Sequence, residues 1–347
     1  MRRSRGHETL DTMRALLLLV LVLAACTTQP NAAVSATPSP TASPSATPSQ
    51  TPTSSPTPSP SPIALPSFAQ LSAPSGTVVW ALVAGTRLFR SSDRGDTWVE
   101  RSTPPGLVST EASFADAMNG LLLNTGSAVG ACETQTASIG KTADGAATWQ
   151  RVIATGIADA MCKRGLASAD ATHAVFTAYG PNSGPVIYRT ADGGQTWAAS
   201  KPLPDPPGFT FTRPGGVVIL PGRPRAFGSV VLVDAQGYGE QTRYVFRSAD
   251  AGARFTYVST VPTVEGTVAY VTATRWVVIG TPGSSMETTD AGASWHAYTT
   301  DYSQAAPVTP DIVFGDASVG YATVRGAIQR TTDGGAHWIT IKTPGTG

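Results

Sequence analysis

Residues 331–338 read TTDGGAHW, and the same eight-residue pattern occurs five times earlier in the chain. The other copies are SSDRGDTW (91–98), TADGAATW (142–149), TADGGQTW (190–197), SADAGARF (248–255) and TTDAGASW (288–295). Their shared form is Ser/Thr-x-Asp-x-Gly-x-x-aromatic, except that Ala146 takes the glycine position in the second copy and Phe255 the aromatic position in the fourth. We call each copy an aspartate turn. A pattern repeated at this scale predicts a repeat protein.

Each position of the aspartate turn has a physical reason. The residues before the aspartate, such as RYVFRSA (243–249), mix β-branched and aromatic residues with alternating polar ones, which predicts a strand. The aspartate can accept hydrogen bonds from nearby backbone N–H groups. The glycine that follows it supplies the left-handed backbone of a tight hairpin. The aromatic residue opens the returning strand and buries a large apolar surface.

Five of the seven tryptophans occupy the aromatic position, so we assign them to packing and not to a ligand site. The predicted structural residues of the six turns are Asp93, Gly95, Trp98, Asp144, Trp149, Asp192, Gly194, Trp197, Asp250, Gly252, Phe255, Asp290, Gly292, Trp295, Asp333, Gly335 and Trp338. Arg90, Arg189, Arg247 and Arg330 each lie three residues before a turn aspartate. Their recurrence at one repeat position favours a structural or surface role over a converging site.

The consensus resembles the Asp-box, or BNR repeat, of sialidases, sortilin-type receptors, xyloglucan hydrolases and photosystem II assembly-factor-like propellers. In those families the box is the turn between the third and fourth strands of a propeller blade. A second repeat, FADAMNG (114–120) and FGDASVG (314–320), makes the assembly-factor-like propellers the most similar. The resemblance covers residues 67–347 and implies an all-β propeller.

The spacing of the turns predicts the number of blades. The turn aspartates lie at positions 93, 144, 192, 250, 290 and 333, so successive intervals are 51, 48, 58, 40 and 43 residues. These intervals fit four-stranded antiparallel blades of about 40–50 residues. We therefore expect a closed six-bladed ring, since closure protects strand edges. The alternative of seven blades, common in the family, would need a strand from the preceding proline-rich segment, which proline opposes.

The first 66 residues have the composition of a leader and a linker. The apolar run 15–24 has the length of a signal-peptide core and is short for a membrane span. LAAC (23–26) resembles a bacterial lipobox, which implies that residues 1–25 are a lipoprotein signal peptide and that Cys26 receives a lipid. An ordinary secretory peptide is the alternative, and Met13 is an alternative start. Residues 26–66 are rich in Ser, Thr and Pro and predict a disordered stalk.

These features predict a propeller that stands outside the cytoplasm, at the cell surface or in the periplasm, and reaches the membrane through its lipid alone. Export to an oxidising compartment favours a disulfide between the two remaining cysteines, Cys132 and Cys162. If the strands of each blade follow one another in order, both cysteines lie in loops on the face opposite the aspartate turns.

Composition and motifs argue against several classes of function. The net charge is +1 and only 14% of residues are charged, which gives no electrostatic signature for nucleic acid. The four histidines show no ligand-like spacing, so we expect no metal site and no cofactor. The Arg-Ile-Pro signature of sialidases is replaced by GTRLFRSSD (85–93). Glycoside hydrolysis also needs two carboxylates at a defined separation, and the sequence identifies no such pair.

We therefore expect a monomeric, non-catalytic binding or assembly scaffold for an envelope protein complex or a cell-envelope glycan, with a glycoside hydrolase as the alternative. Propellers usually bind through their non-repeating loops and the mouth of the central channel. Here those loops are 126–137, 156–164, 202–213, 233–243 and 300–310. The candidate binding residues in and beside them are Phe209, Tyr238, Arg243 and Tyr302.

Overall fold

The computed structural model describes most of the chain from residue 69 onward. The described residues are 69–108, 110–126, 135–159, 161–180, 183–211, 219–237, 242–262, 266–280, 283–302, 310–324 and 326–344. Their regular structure consists of β-strands, which confirms the all-β prediction. Within these ranges we find no helix with the length and apolar character needed to cross a membrane.

The strands form six antiparallel sheets, and each sheet comes from one continuous stretch of chain. Blade 1 contains β1 (Ala69–Ser72), β2 (Val79–Val83), β3 (Arg87–Ser91) and β4 (Val99–Arg101). Blade 2 contains β5 (Thr110–Phe114), β6 (Gly120–Asn124), β7 (Ser138–Thr142) and β8 (Gln150–Val152). Blade 3 contains β9 (Cys162–Ser168), β10 (Ala174–Gly180), β11 (Ser183–Thr190) and β12 (Ala198–Ala199).

The second half of the ring repeats this arrangement. Blade 4 contains β13 (Ile219–Pro221), β14 (Arg225–Phe227), β15 (Val230–Gly237), β16 (Arg243–Ser248) and β17 (Thr256–Thr260). Blade 5 contains β18 (Thr267–Tyr270), β19 (Trp276–Ile279), β20 (Met286–Thr288) and β21 (His296–Ala297). Blade 6 contains β22 (Ile312–Phe314), β23 (Gly320–Val324), β24 (Ala327–Thr331) and β25 (Ile339–Ile341).

The architecture is a six-bladed β-propeller, as the spacing of the turns predicted. In every blade the strands pair in chain order, and the first strand is the innermost. Blade 4 differs because its innermost strand is split into β13 and β14, which both pair with β15. When the split strand is counted as one, each blade has four strands.

The aspartate turns join the third and fourth strands of each blade and share one hydrogen-bond pattern. In blade 3 the Thr190 hydroxyl donates to Asp192 over 2.8 Å and accepts the N–H of Gly194 over 3.0 Å. Asp192 in turn accepts the N–H of Thr196 over 2.9 Å and its hydroxyl over 2.6 Å. The hydroxyl-to-aspartate bond is present in all six turns at 2.7–2.8 Å. In blade 6, His337 replaces the second hydroxyl and places Nδ1 2.6 Å from Asp333.

The glycine position of the turn requires a left-handed backbone, as the sequence predicted. Its φ lies between 86° and 101° in the five copies that have glycine. Ala146, the exception, adopts a φ of 60°. The preceding residue is also left-handed, even where it is Arg94 (φ 64°) or Ala251 (φ 54°). Two successive left-handed residues reverse the chain within the turn.

Hydrophobic packing occurs between blades. The six hydrophobic clusters of the described residues each span one junction between neighbouring blades. Between blades 1 and 2, the rings of Trp80 and Phe114 stack with centroids 3.6 Å apart. Between blades 6 and 1, Tyr321 and Ile328 pack in the same cluster as Leu71. This last junction closes the ring.

The aromatic residues of the turns strengthen these junctions. Trp197, Phe255 and Trp338 are buried, whereas Trp98, Trp149 and Trp295 are partly exposed. The three partly exposed indoles donate to the preceding blade, at the carbonyls of Lys342 and Ser102 and the hydroxyl of Ser259. The recurring arginines also act between blades: Arg90 donates to the carbonyl of Ala117, and Arg330 to that of Arg94. These contacts are structural.

The turn carboxylates make stability depend on pH. The hydroxyls of Thr97, Thr148 and Ser294 donate to Asp93, Asp144 and Asp290, and these bonds lower the pKa of each carboxyl to about 2. An unfolded aspartate has a pKa of about 3.9, so the carboxylates stabilise the fold above that pH, and this contribution is lost as the pH falls through about 2.

We expect the free energy of unfolding to fall as the pH is lowered from about 4 to about 2. Urea unfolding at pH 7, 4, 3 and 2 measures it. A combined Asp93→Asn, Asp144→Asn, Asp290→Asn variant serves as the control, and its free energy should decline less steeply below pH 4. Equal declines in the two proteins would contradict this origin of acid sensitivity.

Candidate functional site

The six innermost strands surround the central channel, and side chains satisfy the backbone groups at several of their junctions. Gln70 accepts the N–H of Ala112 over 2.7 Å, which links blade 1 to blade 2. Glu111 accepts the N–H of Leu166 over 2.7 Å, which links blade 2 to blade 3. In the same way Asp311 accepts the N–H of Leu71 over 2.6 Å, which closes blade 6 onto blade 1. These three side chains therefore have structural roles.

The split inner strand of blade 4 fills part of the channel. Its two halves are separated by Gly222, Arg223 and Pro224, and proline cannot donate to a strand partner. The Arg223 guanidinium donates to the carbonyls of Leu71 over 2.8 Å and Ala112 over 3.2 Å.

Arg223 also reaches two further blades. It donates to the carbonyl of Leu166 in blade 3 over 3.3 Å and to Asp311 in blade 6 over 3.2 Å. This one side chain thus connects blade 4 to four other blades. The neighbouring Arg225 donates to the carbonyls of Ala73 over 3.3 Å and Phe314 over 2.6 Å, in blades 1 and 6. We call Gly222–Arg225 the channel plug.

Two glycines make room for the channel plug. A Cβ atom at Gly165, whose φ is +70°, would lie 2.9 Å from Cδ of Pro224 and 3.1 Å from Cα of Arg223. A Cβ atom at Gly222 would collide with the carboxylate of Asp234. Any larger residue at either position would displace the plug or the aspartate.

A cavity of about 330 Å³ lies beside the channel plug and is the candidate site. Thr267 and Tyr270 line it together with four arginines and two aspartates: Arg164, Arg223, Arg225, Arg243, Asp234 and Asp311. The ionised side chains carry a net charge of +2. An anionic group is therefore the ligand chemistry that the lining favours.

Both aspartates of the cavity are already paired. Asp234 lies 3.5 Å from Nε of Arg243, and Asp311 lies 3.2 Å from Arg223. Burial raises the pKa of the Asp234 carboxyl, and the Arg243 charge opposes that rise. The Tyr270 hydroxyl lies 3.5 Å from Asp234, and its own pKa is raised well above the usual value by burial.

Two polar atoms of the lining residues are buried without a partner. Among the buried side-chain atoms of the described residues, Nε of Arg225 and Oγ1 of Thr267 have no hydrogen-bond partner. Burial lowers the pKa of Arg225 to about 10, so the guanidinium stays charged at neutral pH. The Arg164 guanidinium lies 6.0 Å from the ring of Tyr179. The cavity therefore offers positive charge to a ligand.

The candidate binding residues that the structure describes do not lie together. Arg243 lines the cavity. Phe209 packs against the cluster between blades 3 and 4, with its ring 5.8 Å from that of Tyr244. Tyr302, expected on an exposed loop, is only 2% exposed, because its ring packs 5.4 Å from that of Trp338. Tyr238 lies outside the described residues.

Three cavity arginines and both aspartates were missed among the candidate binding residues. The available signal was LPGRPR (220–225), where glycine and proline flank an arginine. Cys162 is disulfide-bonded. Cys132 and Cys26 lie outside the described residues, so the pairing and the lipidation stay predictions. Within the described ranges, no group of three or more His, Cys, Asp or Glu residues is placed to hold a metal ion.

We expect Arg223→Met to lower the free energy of unfolding by about 3 kcal/mol, because it leaves buried carbonyls and Asp311 without their partner. Urea unfolding at neutral pH measures the change. Arg254→Met, at an exposed position of an aspartate turn, is the matched control and should change little. A loss below about 1 kcal/mol for Arg223→Met would show that the channel plug contributes little to stability.

Comparison with known proteins shows similarity in fold alone. No family model and no curated protein sequence matches this chain. A solved structure of YCF48 bound to D1 peptide is 16% identical, with a TM-score of 0.41, over 78% of this chain and 95% of that one. YCF48 from Cyanidioschyzon merolae is 15% identical, with a TM-score of 0.45, over 82% and 87%.

The structure of a GH74 enzyme is similar to the same degree. The GH74 enzyme of Niastella koreensis is 14% identical, with a TM-score of 0.46, over 78% of this chain but only 46% of that one. These similarities include both a peptide-bound protein and an enzyme, and at such identities they do not distinguish binding from catalysis.

Proposed function

We propose that this protein is an extracytoplasmic, lipid-anchored β-propeller that acts as a non-catalytic binding or assembly scaffold for an envelope protein complex or glycan. The observation that carries the proposal is the cavity beside the channel plug, whose ionised lining side chains carry a net charge of +2. Such a cavity suits a carboxylate of the partner, since a guanidinium and a carboxylate form short, charge-assisted hydrogen bonds.

The roles of the carboxylates favour binding over hydrolysis. A glycoside hydrolase needs one carboxyl group that gives a proton and a second that acts as base or nucleophile. Asp311 accepts a backbone N–H and pairs with Arg223, and Glu111 accepts a backbone N–H of the next blade. Their positions are fixed by the closure of the ring, so neither is free to serve a reacting sugar.

One observation keeps the hydrolase as a second candidate. Burial raises the pKa of Asp234, and a raised pKa is what a general acid needs at neutral pH. Arg243 favours the ionised form of the same carboxyl, which works against this role.

The charge of the ligand can be tested with defined probes. We expect a hexuronate trisaccharide or a peptide rich in Asp and Glu to bind more tightly than a neutral hexose trisaccharide or an Asn/Gln peptide. Arg164→Ala should weaken binding of the acidic probe about tenfold, which corresponds to ~1.4 kcal/mol of binding free energy. Isothermal titration calorimetry at two salt concentrations measures it.

Arg254→Ala, on an aspartate turn away from the cavity, is the control for charge alone. Equal affinity for acidic and neutral probes would overturn the anionic preference. Release of sugar from sialosides or β-glucans that is lost in Asp234→Asn would establish the hydrolase in place of the scaffold.

The lipid anchor rests on the LAAC sequence before the stalk and is tested separately. We expect the full-length chain, expressed in a bacterium, to incorporate labelled palmitate and to sediment with membranes. Cys26→Ser should abolish both, because the lipid is attached through the thiol. The matched control is Ser35→Ala in the stalk. Labelling that survives Cys26→Ser would contradict the anchor.

A further inference from the structure

One position in the third strand of each blade distinguishes blade 2 from the others. The residue four positions before the turn aspartate is large in five blades: Phe89, Tyr188, Phe246, Met286 and Gln329. In blade 2 it is Gly140. Phe89, Tyr188, Phe246 and Met286 each pack in the hydrophobic cluster that joins their blade to the preceding one. Gly140 leaves that space unfilled.

A pocket of about 460 Å³ occurs where the missing side chain would lie. Its wall includes Leu122, Trp149, Pro104 and Pro105. A Cβ atom at Gly140 would lie 3.5 Å from Leu122 and 3.5 Å from the Trp149 ring, which is ordinary contact. The backbone at Gly140 therefore has room for a Cβ atom, and this blade has no side chain there.

The walls of the pocket are held in place by hydrogen bonds. Trp149 donates its indole N–H to the carbonyl of Ser102 over 2.8 Å, and its ring meets Phe114 edge-on with centroids 6.2 Å apart. Asn124, which also lines the pocket, accepts the N–H of Val108 over 3.0 Å. The aromatic surface is thus fixed before a ligand arrives, which reduces the entropy cost of binding.

Polar groups lie at the rim. Arg151 is directly opposite Gly140 in the strand pairing, and Gly140 is directly opposite Leu122. Residues paired across strands project from the same side of a sheet, so Arg151 extends beside the pocket. Its side chain is exposed, as is that of Gln150, another polar residue of the lining. A fixed aromatic wall beside one exposed cation suits a ligand that is apolar on one face and anionic at one edge.

We infer that this pocket between blades 1 and 2, the Gly140 pocket, binds a six-membered ring that carries a carboxylate. The apolar face of the ring lies against Trp149, and the carboxylate pairs with Arg151. A pocket of this volume lies within the range that small-molecule sites occupy. Two kinds of compound contain such a ring, namely aryl carboxylates and hexuronates. The site is separate from the channel cavity, so the proposed function can fail while this inference stands.

The test follows the Trp149 indole N–H by nitrogen–proton NMR of the folded propeller, with the resonance assigned through Trp149→Phe. The probes are benzoate and methyl glucuronide, with benzyl alcohol and methyl glucoside as their neutral counterparts. We expect at least one carboxylate probe to cause a saturable chemical-shift change of the Trp149 indole N–H. Its neutral counterpart should bind more weakly. The carboxylate probe that binds more tightly shows whether the ligand is an aryl carboxylate or a hexuronate.

Gly140→Phe and Gly140→Met place in blade 2 the residues of blades 1 and 5, and we expect them to fold and to lose the shift. Gly140→Ala should keep it, and Arg151→Gln should weaken carboxylate binding about fivefold, as expected for one exposed ion pair. The inference is overturned if neither carboxylate shifts the Trp149 resonance at millimolar concentration. It is also overturned if the shift persists in a folded filled-pocket variant, or if neutral probes bind equally well.

Discussion

The structure depends on how the backbone of the innermost strands is satisfied around the channel. The innermost strands of neighbouring blades do not pair with each other in a sheet, yet they leave N–H and carbonyl groups in a largely enclosed space. Unpaired backbone groups in such a position are costly. Gln70, Glu111 and Asp311 accept N–H groups of the next blade, and Arg223 donates to carbonyls of three blades. Polar side chains in the channel thus perform the function that strand pairing performs within a blade.

This constraint explains why the same residues are poor candidates for catalysis. A charged side chain that holds two blades together cannot move or change its protonation state without disturbing the ring. The property that remains for function is the positive charge that the arginines of the cavity carry in excess of its aspartates. The channel is therefore better suited to holding a charged group than to transforming one.

Local features of the sequence predicted the fold, while long-range contacts set the site. The aspartate turns, the left-handed glycine position and the blade count follow from residues close together in the chain. The channel plug could not be predicted in this way, because Arg223 bonds to Leu71 and Asp311, which are far from it in sequence. Tyr302 has the composition expected of a binding loop but is buried against Trp338. Alignment of the six repeats identifies Gly140 as the exception at its position, but only the structure shows the pocket beside it.

Because each blade is one continuous stretch and no strand of the described chain is shared between blades, the ring has no preferred starting blade. A gene that began at any of the linkers between blades would encode the same set of sheets, and permutation is tolerated best at such exposed connections. Closure would then rest on the junction clusters and the channel plug, whichever blade came first. The fold therefore sets no order of blades along the chain, while the plug of blade 4 joins that blade to four others wherever it comes in the order.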